Sequence, residues 1–203
     1  ADITATEVTD SKEVRVRVSG SNYKGYVTGT QTLTITKRPV EITGDGWNVS
    51  QPYTGSEYSK STYSVETENA ETKRGLVRDE EVSGITYSLA GTNVGTYTGV
   101  FAGAVVITSG DKDVTGNYEV TQTPGNLEIT ASEIANFVTL TPQDVSKVYD
   151  GTKLAAGTAT ANSSDKNTEL KIEYSVDGKN WTENPADITA TEVTDSKEVR
   201  VRV

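Results

Sequence analysis

The sequence predicts an all-β protein built from tandem β-sandwich modules, with β-grasp-like modules carrying one short helix as the alternative. Three observations lead there. Short segments alternate apolar and polar residues with period two, and no long run repeats apolar positions at helical spacing. Turn signals rich in Gly, Asn, Asp and Pro separate those segments. Finally, residues 1–18, ADITATEVTDSKEVRVRV, recur unchanged as residues 186–203, an offset of 186 − 1 = 185. A period of that length suits two ordinary domains of roughly 90–100 residues each, large enough to bury a modest core.

Taken in order, Glu13-Val14-Arg15-Val16-Arg17-Val18 puts three valines on one face and three charges on the other, a half-buried strand. Turn residues Ser19 to Asn22 follow, then Tyr23 to Val27, an expected turn around Gly29, and a strand over Gln31 to Thr36. Lys37-Arg38-Pro39 closes this segment, because Pro cannot donate to a ladder and stiffens the joint. Next come Val40-Glu41-Ile42, a Gly44-Asp45-Gly46 turn, Trp47 to Ser50, and a strand over 62–67. Residues 68–74 are polar and charged, an expected exposed loop. Gly84 to Leu89 is a strand with Ile85, Tyr87 and Leu89 on one face, and Gly95 to Ile107 is the most apolar stretch. Ser109 to Asp113 is a turn, and Asn117 to Val120 and Leu127 to Thr130 are closing strands. Further on, Lys171 to Val176 alternates as a strand, and Asp177-Gly178 signals a hairpin returning through Trp181.

Internal echoes set the domain frame. Val145-Ser146-Lys147-Val148-Tyr149-Asp150-Gly151 repeats Val49-Ser50-Gln51-Pro52-Tyr53-Thr54-Gly55, 96 residues apart. Gly20-Ser21-Asn22-Tyr23 with Leu33-Thr34-Ile35-Thr36 repeats Gly116-Asn117-Tyr118 with Leu127-Glu128-Ile129-Thr130. The expected modules are therefore 1–37, the C-terminal part of one type; 38–131, a complete second type; and 132–203, the N-terminal part of the first type. Ig-like sandwiches are the form such strands and turns are expected to take. An incomplete sheet invites strand addition, so neighbouring copies are expected to join head to tail by strand complementation.

The composition narrows the chemistry. Cys, His and Met are absent, so disulfides, Ser-His-Asp triads, Cys nucleophiles and the usual zinc ligands are not available. The net charge of −10 disfavours nucleic acid and anionic lipid alike. No apolar run approaches the ~20 residues of a membrane span. The 29 Asp and Glu are spread over polar strand faces and loops, as a solvated surface requires, so no catalytic residue is assigned and no enzyme activity is expected. Asp111-Lys112-Asp113-Val114-Thr115-Gly116 has the opening of a calcium loop, but Gln122 stands where a bidentate Glu belongs, so it reads first as a polar turn. Asp79-Glu80-Glu81 reads as a solvated charge run. No metal or cofactor is expected. Asn48-Val49-Ser50 and Asn162-Ser163-Ser164 are glycosylation sequons. Trp47, Trp181 and ten Tyr offer rings for sugar stacking, although one Trp per module beside a strand is more often core. Tyr23, Tyr53, Tyr118 and Tyr149 recur at matched positions, which favours a structural corner.

Lys147-Val148-Tyr149-Asp150-Gly151-Thr152 resembles the opening of YDG-type repeats, and Thr115 to Tyr118 through Gly125 to Thr130 resembles the close of MBG-type repeats. Tyr174 to Trp181 is similar to bacterial Ig-like stalk modules. These repeats belong to large bacterial surface adhesins, mainly Gram-positive. The second module departs from the pattern, with Tyr53-Thr54-Gly55 lacking the Asp. The resemblance implies extracellular, wall-attached tandem arrays that space an adhesive tip from the cell wall. It also raises an internal Lys–Asn isopeptide bond, a device of such stalks. The other function considered is binding of mucin-type glycans by the repeats themselves.

Overall fold

The computed structural model describes residues 3–77, 79–166 and 168–203. The fold is all-β: strands make up 47% of it and helix 8%, the helix being short 3-10 turns. The chain divides into two compact units, one of residues 1–52 and 57–130 and one of residues 53–56 and 131–203.

The first unit contains β1 (Lys12–Val18), β2 (Val27–Leu33), β3 (Arg38–Gly44), β4 (Gln51–Pro52), β5 (Tyr58–Lys60), β6 (Tyr63–Val65), β7 (Glu80–Gly91), β8 (Gly95–Thr98), β9 (Val100–Ser109), β10 (Lys112–Asp113), β11 (Tyr118–Thr123) and β12 (Asn126–Thr130). β1 and β2 form a two-stranded antiparallel ladder. The other strands form sheets in the orders β10-β9-β7-β5, β11-β3-β6 and β4-β12-β8. Among the described residues two strand pairings are parallel: β11 runs alongside β3, and β12 alongside β4. A period-two pattern reports which face is wet, not the direction of the neighbour, so the sequence carried no sign of them.

The core follows the pleat. Ile85, Tyr87 and Leu89 are buried from one face of β7, and Val40 and Ile42 from β3. Val40, Ile107, Val114 and Tyr118 join three sheet elements in one apolar cluster. Tyr118 also anchors a loop: its hydroxyl donates to the Glu80 carboxylate and accepts the Val77 N–H at 3.0 Å. Burial, and then the Glu80 hydrogen bond, push this phenol from 10.0 up to about 12. A raised pKa in the folded state means stability that is complete below pH 10 and is lost as pH climbs towards 12. Denaturant midpoints measured between pH 9 and 12 are therefore expected to fall, and Tyr118→Phe is expected to flatten that decline.

Three sequence expectations need correction. Gly29 lies within β2, opposite Val16, so the turn joining β1 and β2 falls at 19–26 instead. The strand expected to reach Thr36 stops at Leu33, where Ile35 N–H turns aside to the Ser11 hydroxyl at 3.0 Å. β1 is not half-buried along its length: Val16 and Val18 are exposed, and among the described residues its ladder partner is β2 alone, itself exposed from Val27 to Thr32.

The second unit contains β13 (Val138–Pro142), β14 (Leu154–Ala155), β15 (Ala159–Ser163), β16 (Glu173–Ser175), β17 (Thr189–Ala190) and β18 (Arg200–Arg202). They pair as β13-β15, β14-β17 and β16-β18, all antiparallel. The Asp177-Gly178 turn closes a hairpin in which Tyr174 and Thr182 exchange backbone bonds of 2.8 and 3.0 Å. Tyr174 is the one buried apolar side chain of this unit among the described residues, against ten in the first.

The two units share a frame. β6 and β15 begin 96 residues apart, the spacing of the sequence echo. Ile42 faces Val65 in the first unit and Leu140 faces Ala161 in the second, which puts Leu140 in the place of Ile42. Tyr58 and Leu154, also 96 apart, pair with Gly91 and Ala190.

Candidate functional site

Trp47 stands beside a candidate surface site. It follows the Gly44-Asp45-Gly46 turn, and its N–H donates to the Asn126 carbonyl at 2.9 Å, fixing the backbone beside β12. Lys60 Nζ lies 4.7 Å from the indole centroid and donates to the Gly46 carbonyl at 2.6 Å. Tyr58 meets the ring edge-on at 6.0 Å and 81°, its hydroxyl donating to the Pro52 carbonyl at 2.9 Å. One indole face is thus taken by a cation, a contact of roughly 0.5–1 kcal/mol at an exposed site. Trp47 is half-buried rather than core. Beside it runs a shallow cleft lined by Asn48, Ser50, Thr96, Asn126 and Glu128 together with Val49 and Leu127. An aromatic edge, two amides, two hydroxyls and a carboxylate suit the alternating polar and apolar faces of a sugar ring.

Trp181 is differently placed. Arg202 Cζ stacks 4.0 Å from its ring, and Arg202 Nε donates to Glu173 at 2.8 Å. Lys171 extends the network to Glu183 at 2.7 Å. The ring is half-buried, with its stacking face given to a guanidinium. The nearby turn is fixed by the Asp177 carboxylate, which accepts the N–H groups of Asn180 at 2.8 Å and Lys179 at 2.7 Å. Those backbone bonds hold its carboxyl well below the usual range. Lys147 and the Thr152 groups do the same for Asp150 in the Tyr149-Asp150-Gly151 motif.

The matched tyrosines do not share one corner. Tyr118 is 4% exposed, whereas Tyr23 is 82% and Tyr149 57% exposed. Tyr53 belongs to the second unit, where its hydroxyl donates to Asp165 at 2.7 Å and its ring lies 5.7 Å from Phe137. Asp165 is buried and also accepts from Thr168 Oγ1 at 2.8 Å. Sequence reasoning missed this carboxylate, because nothing in Ser164-Asp165-Lys166 marks burial.

The remaining motifs do not assemble. Asp113 turns its carboxylate onto the Thr115 N–H at 2.9 Å, as in a polar turn, and among the described residues no group of three acidic side chains is placed to hold a metal ion. Among the described residues neither a lysine nor an asparagine is buried, so the pair required for an isopeptide bond is not formed there. No buried side-chain polar atom among the described residues lacks a hydrogen-bond partner. No family model, no curated protein and no solved structure matches this chain.

Proposed function

We propose that this chain is a structural stalk repeat of an extracellular, wall-attached bacterial surface adhesin, built of Ig-like sandwich modules of the MBG/YDG type. The observation that carries this reading is the unchanged 18-residue recurrence at 185 residues, combined with two units whose strands β6 and β15 begin 96 residues apart. The sequence echo at 96 residues and the starts of β6 and β15 fall at the same spacing, which supports an array. The mechanism is mechanical. Repeated strand pairing resists extension. A lack of Cys and Met suits a surface exposed to oxidants. No enzyme activity is assigned.

The second reading, mucin-type glycan binding, is favoured by the Trp47 cleft with its polar lining. One set of measurements separates the two. Concatemers of one, two and three 185-residue periods are expected to gain a constant increment in maximum dimension by small-angle scattering, with no glycan-array signal that Trp47→Ala removes. A maximum dimension that barely changes with copy number would overturn the spacer. Array binding lost in Trp47→Ala but retained in Trp181→Ala would establish the glycan reading.

A further inference from the structure

The outer edge of β9 is open from Val100 to Val106. Among the described residues β7 lies along one side of β9, and on the other side β10 pairs only with Thr108 and Ser109. From Gly99 to Gly110 the sequence has neither a charge nor a proline, in a chain whose net charge is −10. Open edges are normally blunted by charged side chains or Pro. Other edge strands of this unit are: β5 carries Lys60, β11 carries Glu119, and β10 carries Lys112 and Asp113. On β9, Val100, Ala102, Gly103 and Ala104 stand exposed and uncharged.

The edge also matches itself. Val100-Phe101-Ala102-Gly103-Ala104-Val105-Val106 reads almost the same from either end, with Gly103 at its centre. Two such strands placed antiparallel about a two-fold axis through Gly103 set Ala102 against Ala104, Phe101 against Val105, and Val100 against Val106 of the other copy. The backbone has the parity this register needs. Ile107 turns its N–H to Thr115 Oγ1 at 2.8 Å, and its carbonyl accepts the Val114 N–H at 2.9 Å, both on the β10 side. The Val106 carbonyl points the other way and accepts the Ser83 hydroxyl at 3.4 Å. Phe101, Val105 and Ile107 share the core face: Phe101 packs 4.8 Å from Tyr87, Val105 lies on the Val40 cluster, and Ile107 is 0% exposed. Alternation therefore aims the backbone groups of Phe101 and Val105 outward, like those of Ile107. These two residues face each other in the register, so each N–H meets a C=O. Gly103, at φ +94, sits on the axis, where the bulge splits the joined ladder into two equal arms and no side chain crowds the centre. Beyond Val100, Gly99 leads into β8 of another sheet, so the added strand stops short of β10.

We propose that the β9 edges of two copies of this chain pair antiparallel in this register, joining two four-stranded sheets across a two-fold axis. The pairing completes an open ladder and sets Val100 against Val106 and Ala102 against Ala104 on the solvent face, where cross-strand apolar contact adds to the backbone bonds. Both copies use the same surface, so the contact closes as a dimer with the strands side by side. It involves the first unit alone and holds equally for a spacer and for a glycan-binding module.

The absence of Cys makes a disulfide a clean reporter of register. Ala102 and Ala104 are exposed, and residues opposed in this way between bonded pairs lie about 4.5 Å apart at Cα, within the span of a disulfide. Ala102→Cys and Ala104→Cys chains with tags of different size are mixed under mild oxidation, and circular dichroism checks that each folds. The mixed disulfide is expected to exceed by far the share that random coupling gives. Sedimentation velocity of the unmodified chain, run up to about 0.5 mM because so short an edge is a small interface, is expected to show a reversible dimer. Val100→Lys places a charge on the edge and is expected to weaken that dimer roughly tenfold or more. Ser88→Lys adds the same charge to the exposed face of β7, opposite Val100, and is expected to leave the dimer intact. Random coupling of the two cysteines, an unmodified chain that stays monomeric, or equal weakening by the two lysines would each overturn the proposal.

Discussion

Tyr87→Ala is expected to destabilise the first unit by about 3–5 kcal/mol, the range for truncating a large buried aromatic. Tyr87 is 3% exposed, and its ring lies 4.8 Å from Phe101 at 47°. Its hydroxyl donates to the Asp45 carbonyl at 2.9 Å and accepts the Gly125 N–H at 3.1 Å. The side chain therefore fills core volume and ties two turns together, the one after β3 and the one between β11 and β12. Tyr87→Phe keeps the volume and removes the tie. It is expected to cost about 1–3 kcal/mol, because a partly buried carbonyl and a partly buried N–H lose their partner. Urea unfolding of the full chain, with midpoint and slope fitted, measures both. A loss under 1 kcal/mol for the alanine variant would contradict the placement of this ring.

Gly84→Ala is the second substitution with a large expected effect, about 3 kcal/mol from backbone strain plus overpacking. The register between β7 and β9 shifts between Ser83 and Ile85, so a bulge interrupts the longest ladder of the unit. Gly84 sits there at φ +79, and Gly103 across the ladder at φ +94. A Cβ on Gly84 would press into the Ala104 carbonyl oxygen, and one on Gly103 into the Gly84 carbonyl oxygen. Both obstacles are backbone, which cannot swing aside as a side chain can. Ser88→Ala, on the exposed face of the same strand, is the control and is expected to stay within about 0.5 kcal/mol. An alanine at 84 as mild as the one at 88 would show the bulge to be absent.

These two sites also mark how far the sequence could be read. The alternation Ile85, Tyr87, Leu89 gave the buried face of β7, since a period of two is a property of the strand itself. The bulge beside it was not legible: Gly84 in Ser-Gly-Ile looks like a strand boundary, and its meaning depends on Gly103, 19 residues away. The Trp47 cleft was half legible. The ring was visible as a candidate, but Lys60 over its face and Asn126 beside its backbone arrive from other strands. Asp165 was not legible at all, because its burial depends on Tyr53, 112 residues earlier.

The repeated 18 residues separate local from tertiary control within one molecule. Both copies form the same 3-10 turn, at Val8–Asp10 and at Val193–Asp195. In each, an aspartate closes the turn by accepting the N–H of the glutamate three residues before it, Asp10 from Glu7 at 3.0 Å and Asp195 from Glu192 at 3.0 Å. That contact lies within four residues, so the amino-acid order determines it wherever the segment stands. The strand that follows is another matter. Lys12–Val18 pairs over seven residues with β2, whereas the same letters near Val203 form a three-residue strand against β16. A strand does not close its own hydrogen bonds, and its length and partner come from whatever distant segment the fold brings alongside.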